Sequence, residues 1–434
     1  MRCILVTALF LIPSLTAAQP PALDAETRAV WEREGSRFAW LTPSPAGGWS
    51  HQDAMPTDPR GMPVIYWNSV DPRAIARVPA PAVPFALLMN TGPDPTPITD
   101  AGMKHLARFK TLRHLEIMRA RVTGVGVKEL ASLQELQSLQ LYGLELNDEG
   151  VAGLKDMQSL ERLGLGDTKI TDAGLVHLAG LKKLKILSIE FNAITDEGAK
   201  TLAKIESLEA LNLGGTKLTA DGYRELARLK KLTNIQLHNG PLTDASLQGL
   251  REIKSLRLLN IGGAPITDAG LKEFAVMPNL ETLHLDSTRI TNVGLAHLAN
   301  VKTLKTLTLS SLKITDEGIA PLGRLKQLET LSLNGTLVGD AALEEIGGFK
   351  SLRKLYVART KITDKGLKYL TELKNLELLS INNNPQITDA GIADLSAIKG
   401  LRLVFILGTH ITDEGVRDLR DANSMLKVDR NSGF

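Results

Sequence analysis

One pentapeptide pattern constrains this chain more than any other feature. Ile98-Thr-Asp-Ala-Gly102 recurs with its first residue at Ile98, Val122, Leu146, Ile170, Ile194, Leu218, Leu242, Ile266, Ile290, Ile314, Val338, Ile362, Ile387 and Ile411. Every step is 24 residues except Ile362 to Ile387, which is 25; the extra residue lies in Asn382-Asn-Asn-Pro-Gln386, a loop-type insertion. A period this constant marks a repeat array, so the 434 residues do not divide into about three ordinary domains.

Within each unit the apolar spacing changes. Leu184-x-x-Leu187-x-Ile189 ends on a step of two, the period of a strand. Ile194-Thr-Asp-Glu-Gly198 is followed by Leu202, Ile205 and Leu208 at steps of three, the spacing of a short helix with one buried stripe. Each unit therefore reads strand, turn, helix, turn, and it buries its apolar face only by stacking on its neighbours. Parallel strands stack about 4.8 Å apart, whereas helices need about 8–10 Å, so the stack bends toward its strands. The expected fold class is α/β: a horseshoe-shaped solenoid with a concave parallel β-sheet and convex helices, about 14 repeats of 24 residues over 98–428.

The run Leu160-x-x-Leu163-x-Leu165-x-x-Thr168 resembles a leucine-rich repeat. The Ile-Thr-Asp-x-Gly-Leu continuation resembles the ribonuclease-inhibitor-like subclass, and in particular exported bacterial proteins that carry long Thr-Asp-x-Gly arrays. The resemblance implies protein recognition on the concave face and no catalytic activity of the repeats. It departs from the family at the ninth position, often asparagine there and mostly Thr or non-polar here, which implies a thinner side-chain ladder under the turn.

Asp holds the third place of the pentapeptide in 11 of 14 units and Gly the fifth in 12 of 14. Thr or Asp before a helix caps its free N–H groups, and Asp suits the positive helix end; Gly lets the helix start pack closely on the sheet. No second carboxylate per unit completes a calcium cage. There is no Cys pair for zinc, no His-Glu-x-x-His and no Gly-x-Ser-x-Gly. The expectation is no metal, no cofactor and no catalytic group.

Side chains alternate along a strand, so residues between and just after the two strand leucines face the concavity. They vary from unit to unit while the framework does not, as on a recognition surface. The candidate contacts are Tyr142, Glu190 and Phe191 in one group and His238, Asn239, His284 and Asp286 in another, with Tyr356, Asn382 and Phe405 beyond. Rings among small residues are natural anchors. His238 and His284 lie two strands apart, near 10 Å, too far to share an ion. The formal charge of +3 with interspersed signs excludes a nucleic-acid footprint.

The ends differ in composition from the array. Residues 1–18, a basic start with an apolar run to Leu15 and Thr16-Ala17-Ala18, read as a secretory signal peptide cleaved after Ala18. The single cysteine, Cys3, would leave with it, so packing alone holds the mature chain. No other apolar run is long enough to span a membrane. All four tryptophans and 15 of 20 prolines precede residue 98. Residues 19–97 are expected to cap the first unit, with a helix over 24–36 and an extended segment over 62–70; residues 429–434 are a polar tail. Together these features describe a secreted, periplasmic or envelope protein, monomeric and non-enzymatic, holding a protein or peptide ligand on its concave face. The alternative is an extracellular glycan- or surface-binding structural protein.

Overall fold

The computed structural model describes residues 20–43, 49–56, 58, 60–67, 73–90, 98–118 and 120–431. The expected leader and the proline-rich residues 91–97 lie outside that set, as does the end of the tail. The described residues form one 18-stranded sheet with helices along one side, the expected α/β solenoid. Helix α1 (Ala25–Arg33) precedes β1 (Arg37–Pro43), β2 (Trp49–Gln52), β3 (Met62–Trp67) and β4 (Phe85–Asn90). β1 pairs antiparallel with both β2 and β3, and β3 runs parallel to β4. From there β5 (Leu112–Met118), β6 (Ser138–Tyr142) and twelve three-residue strands continue the parallel ladder to Lys427–Asp429. Register follows the repeat: Leu139, Leu163, Leu187, Leu211 and Ile235 align strand to strand. One continuous apolar core runs from Trp31 to Val428. Its layers are thin and take Leu, Ile and Val, which accounts for the scarcity of rings in the array.

The convex side is less helical than the spacing predicts. Asp196–Leu202 is α-helical, but Ile205 and Leu208 are buried by single turns, their N–H groups bonding Leu202 O at 2.9 Å and Ile205 O at 3.0 Å. The step of three thus reflects three-residue turns rather than continued α-helix. In one unit Leu271–Val276 is entirely 3-10.

The recurring Asp does not cap its own helix. Thr is the cap: the Thr195 hydroxyl accepts the Glu197 N–H at 3.3 Å. Asp172 is the first helical residue, and its carboxylate reaches the next unit, where it accepts the Thr195 N–H at 2.8 Å and the Thr195 hydroxyl at 2.6 Å. Asp196 and Asp268 do the same to Thr219 and Thr291. The fifth-place glycine makes room for that carboxylate, not for the sheet. A methyl group on Gly198 would stand 2.3 Å from Asp172 Oδ1, and one on Gly222 2.3 Å from Asp196 Oδ1. Two departures break the pairing, Ala342 beside Asp316 and Gly150 beside Gly124, and one joint exception keeps it. Ala220 replaces Asp in one unit, and the next carries Ser246 instead of Gly, with Ser246 completing a capping box on Thr243.

Under the strand-end turn, Thr168, Thr216, Thr288, Thr336, Thr360 and Thr409 donate to a carbonyl three residues back within their own unit. Asn192 and Asn384 cross between units, donating to Leu165 O at 2.7 Å and Val357 O at 2.8 Å. Most of the cross-unit side-chain bonding therefore sits at the helix starts rather than under this turn.

At the N-terminal end Trp31 meets Trp67 edge-on at 5.4 Å and Phe109 at 5.7 Å, and its Nε1–H donates to Pro79 O at 3.0 Å. Trp31 and Trp67 are fully buried in the main core, while Trp40 is half-buried on β1. A second small core of Leu41, Met62, Val64, Ala86 and Leu88 lies on the concave side, since Val64 pairs with Ala86 and Ala86 with His114 on one face. The concavity is thereby filled at its first strands.

Candidate ligand-binding site on the concave face

Each short strand buries its middle Leu, Ile or Val and turns both flanking residues to the concavity, as in Ile186–Ser188, where only Leu187 is fully buried. The face therefore has a column that the sequence reading omitted, the residue before that buried one: Arg162, Ile186, Ala210, Asn234, Leu258 and Thr282. Applying the step of two on both sides of the leucine would have found it.

A second regularity appears at the strand ends. The residue after the last concave position is left-handed in unit after unit: Gly143, Asp167, Phe191, Gly215, Asn239, Gly263, Ser287, Ser311, Gly335, Arg359, Asn383 and Gly408 all have φ between 52° and 75°. Gly, Asn and Asp tolerate this backbone. Phe191, at φ 58°, does so at a cost, and its ring is 44% exposed.

Along the concave position just before that turn, large polar residues alternate with glycine: Tyr142, Gly166, Glu190, Gly214, His238, Gly262, Asp286. The glycines let their neighbours lean in. A methyl group on Gly166 would stand 2.7 Å from both the Tyr142 ring and the Glu190 carboxyl carbon, and one on Gly214 3.2 Å from His238 Nε2. The His238 ring meets Phe191 edge-on at 6.3 Å. Tyr142, Glu190, Phe191 and His238 thus form one cluster across the two groups that the sequence suggested. Glu190 Oε2 is shielded from water and has no hydrogen-bond partner among the described residues. Burial pushes the Glu190 carboxyl up, offset in part by its own backbone N–H and by His238, and the Tyr142 phenol is raised by burial and by Glu190 and Asp167.

The remaining candidates fall elsewhere. Asn239 is exposed at its strand-end turn, beside Gly263. The His284 Nδ1 lies 3.0 Å from the Thr308 hydroxyl, which donates to Asp286 Oδ2, while Asp286 Oδ1 accepts the Ser310 N–H at 2.7 Å. His284 and Asp286 are thus tied together through Thr308, and burial lowers the His284 pKa. Tyr356 is half-buried, with its phenol raised by burial. Asn382 and Phe405 do not face open solvent: they are 1% and 4% exposed, and Asn382 Oδ1 accepts the Leu407 N–H at 2.7 Å. Both were expected as concave contacts; packing at the closing end of the stack covers them.

The repeats match known proteins. A "Leucine rich repeat" profile covers residues 158–218 and a second covers 253–275, 276–299 and 350–370. An internalin of Listeria monocytogenes superposes with a TM-score of 0.50 at 24% identity, over 70% of this chain and 83% of that one. A leucine-rich-repeat protein of Leptospira interrogans gives 0.51 at 21% identity, over 80% and 89%. No curated protein matches the chain. The molecule is a leucine-rich-repeat solenoid, an architecture that generally mediates protein–protein interaction and is typically non-enzymatic. Among the described residues no helix is long and apolar enough to cross a membrane.

Proposed function

We propose that this is an exported, non-enzymatic, monomeric bacterial protein of the ribonuclease-inhibitor-like subclass that holds a protein or peptide ligand on its concave face. Residues 1–18 act as the export signal, 19–97 cap the first unit, 98–428 form the binding solenoid and 429–434 are the tail. Delivery is to the envelope or the exterior.

Phe191 carries the reading. An exposed ring in left-handed backbone, where five other units place glycine, is strained and unshielded, and such strain concentrates at ligand-holding sites. Its edge-on contact with His238 and its position next to Glu190 support aromatic anchors on the concave side.

Selection of a random displayed-peptide library on the full chain tests this. Enriched peptides should bind Tyr142→Ala and Phe191→Ala variants at least tenfold more weakly. Equal binding to these variants, or no enrichment, overturns the reading; binding confined to a glycan array transfers it to the structural glycan-binding alternative.

A further inference from the structure

We infer that the cluster of Tyr142, Glu190, Phe191 and His238 is a receptor for a cationic side chain, an arginine or lysine presented by the bound polypeptide. This inference rests on the peptide-binding reading and adds the chemistry of one contact.

The cluster combines a carboxylate with three rings. Glu190 stands on the concave face between two strands that lack a side chain at the same level, Gly166 and Gly214. Those gaps let Tyr142 lean toward the carboxylate from one side, while the His238 ring and the Phe191 ring meet on the other. A methyl group at Gly166 would strike both Tyr142 and Glu190, so the arrangement depends on glycine at that level.

The carboxylate has given up part of its solvation, with only its own backbone N–H and the His238 charge offsetting the loss. Glu190 Oε2 has lost its water and has no donor among the described residues. A buried charge left so is unfavourable until a countercharge reaches it. The chain's salt bridges pair other groups, such as Lys185 with Glu161 and Arg257 with Glu281 along the strand entries, and Lys169 with Glu145. An external cation would meet the half-buried carboxylate and the faces of aromatic rings together, which is how guanidinium and ammonium groups are held in partly dry sites. Asp167, whose charge also acts on Tyr142, adds to the negative potential. An anionic side chain would be repelled by Glu190, and a neutral one would bring no countercharge.

Titration calorimetry of the full chain with acetyl-Gly-Gly-Arg-Gly-Gly-amide, its Lys analogue and its Gln analogue tests the assignment. The Arg or Lys peptide should saturate at least tenfold more tightly than the Gln peptide, and Glu190→Gln should abolish that difference. Glu190→Gln keeps the shape of the side chain and removes a carboxylate that burial disfavours, so the fold should persist; an unchanged circular-dichroism melt checks it. Tyr142→Ala, which retains the charge, should weaken the basic peptide severalfold. Equal binding of the Gln peptide, absence of saturation, or an unaffected Glu190→Gln overturns the inference. If library peptides require Tyr142 and Phe191 but carry no basic residue, the peptide reading stands and the cation assignment alone falls.

Discussion

Two rows of polar residues run the length of this solenoid, and they differ in how completely they are bonded. At the helix starts, Asp172, Asp196, Asp244, Asp268, Asp340 and Asp364 have both carboxylate oxygens filled by the Thr of the next unit. On the concave strands, His114 Nδ1, Ser138 Oγ, Glu190 Oε2 and Ser380 Oγ are buried without a partner among the described residues. The first row holds units together and varies little. The second is free to vary, and it retains unsatisfied groups. A polar group that the fold leaves unbonded is destabilising, so stability does not account for these groups.

The largest expected effect lies at the unsatisfied row. His114 is buried at the first strand of the array, and burial, aided by His51 and Arg162, lowers its pKa from 6.5 to about 4. The folded state thus disfavours imidazolium. The resulting stability is present above the unfolded-state pKa near 6.5 and is lost as pH falls from there to about 4, a range worth about 3 kcal/mol. In urea unfolding at several pH values, His114→Leu should retain most of that increment while the parent loses it. Parallel acid limbs would show that the imidazole is solvated and that the two rows do not differ in this way.

The helix-start row yields a coupled prediction. Gly222→Ala should cost about 2 kcal/mol, because its methyl would stand 2.3 Å from Asp196 Oδ1. Asp196→Ala alone loses the two bonds to Thr219. The double variant should be no less stable than Asp196→Ala alone, a coupling of about 1 kcal/mol or more. The chain already contains such a pair in Ala220 and Ser246. Strict additivity in thermal unfolding would break the proposed link between the third and fifth places.

The sequence disclosed the fold because the fold is periodic. A 24-residue step with a change from spacing two to spacing three is enough to place strands, turns and convex segments. It did not disclose the partner of Asp172, since a carboxylate at a helix start looks like a cap whether it bonds its own unit or the next. That pairing was legible only in the joint exception of Ala220 and Ser246. At the candidate site, Tyr142, Glu190, Phe191 and His238 were each named from the sequence, but as members of two groups. Their merging depends on Gly166 and Gly214, small residues that attract no attention until neighbouring side chains lean over them. Asn382 shares the column of Glu190 and His238, and Phe405 that of His284, yet both are covered, because burial depends on neighbouring side chains and not on the repeat alone.

Phe191 separates stability from binding most directly. The left-handed backbone that it adopts costs a non-glycine residue about 1 kcal/mol, and asparagine occupies the equivalent turn at Asn239 and Asn383. Phe191→Asn should therefore raise the unfolding free energy by about 0.5–1 kcal/mol. A ring kept only for packing would instead be missed when removed, and the variant would be less stable. The ring is 44% exposed, so little burial is forfeited. Chemical denaturation of Phe191→Asn against the parent decides the sign, and the same variant tested against library peptides should bind more weakly. A variant that is more stable but binds less would mean that this position is shaped by the ligand at the expense of the fold, whereas a loss of stability would return Phe191 to the framework.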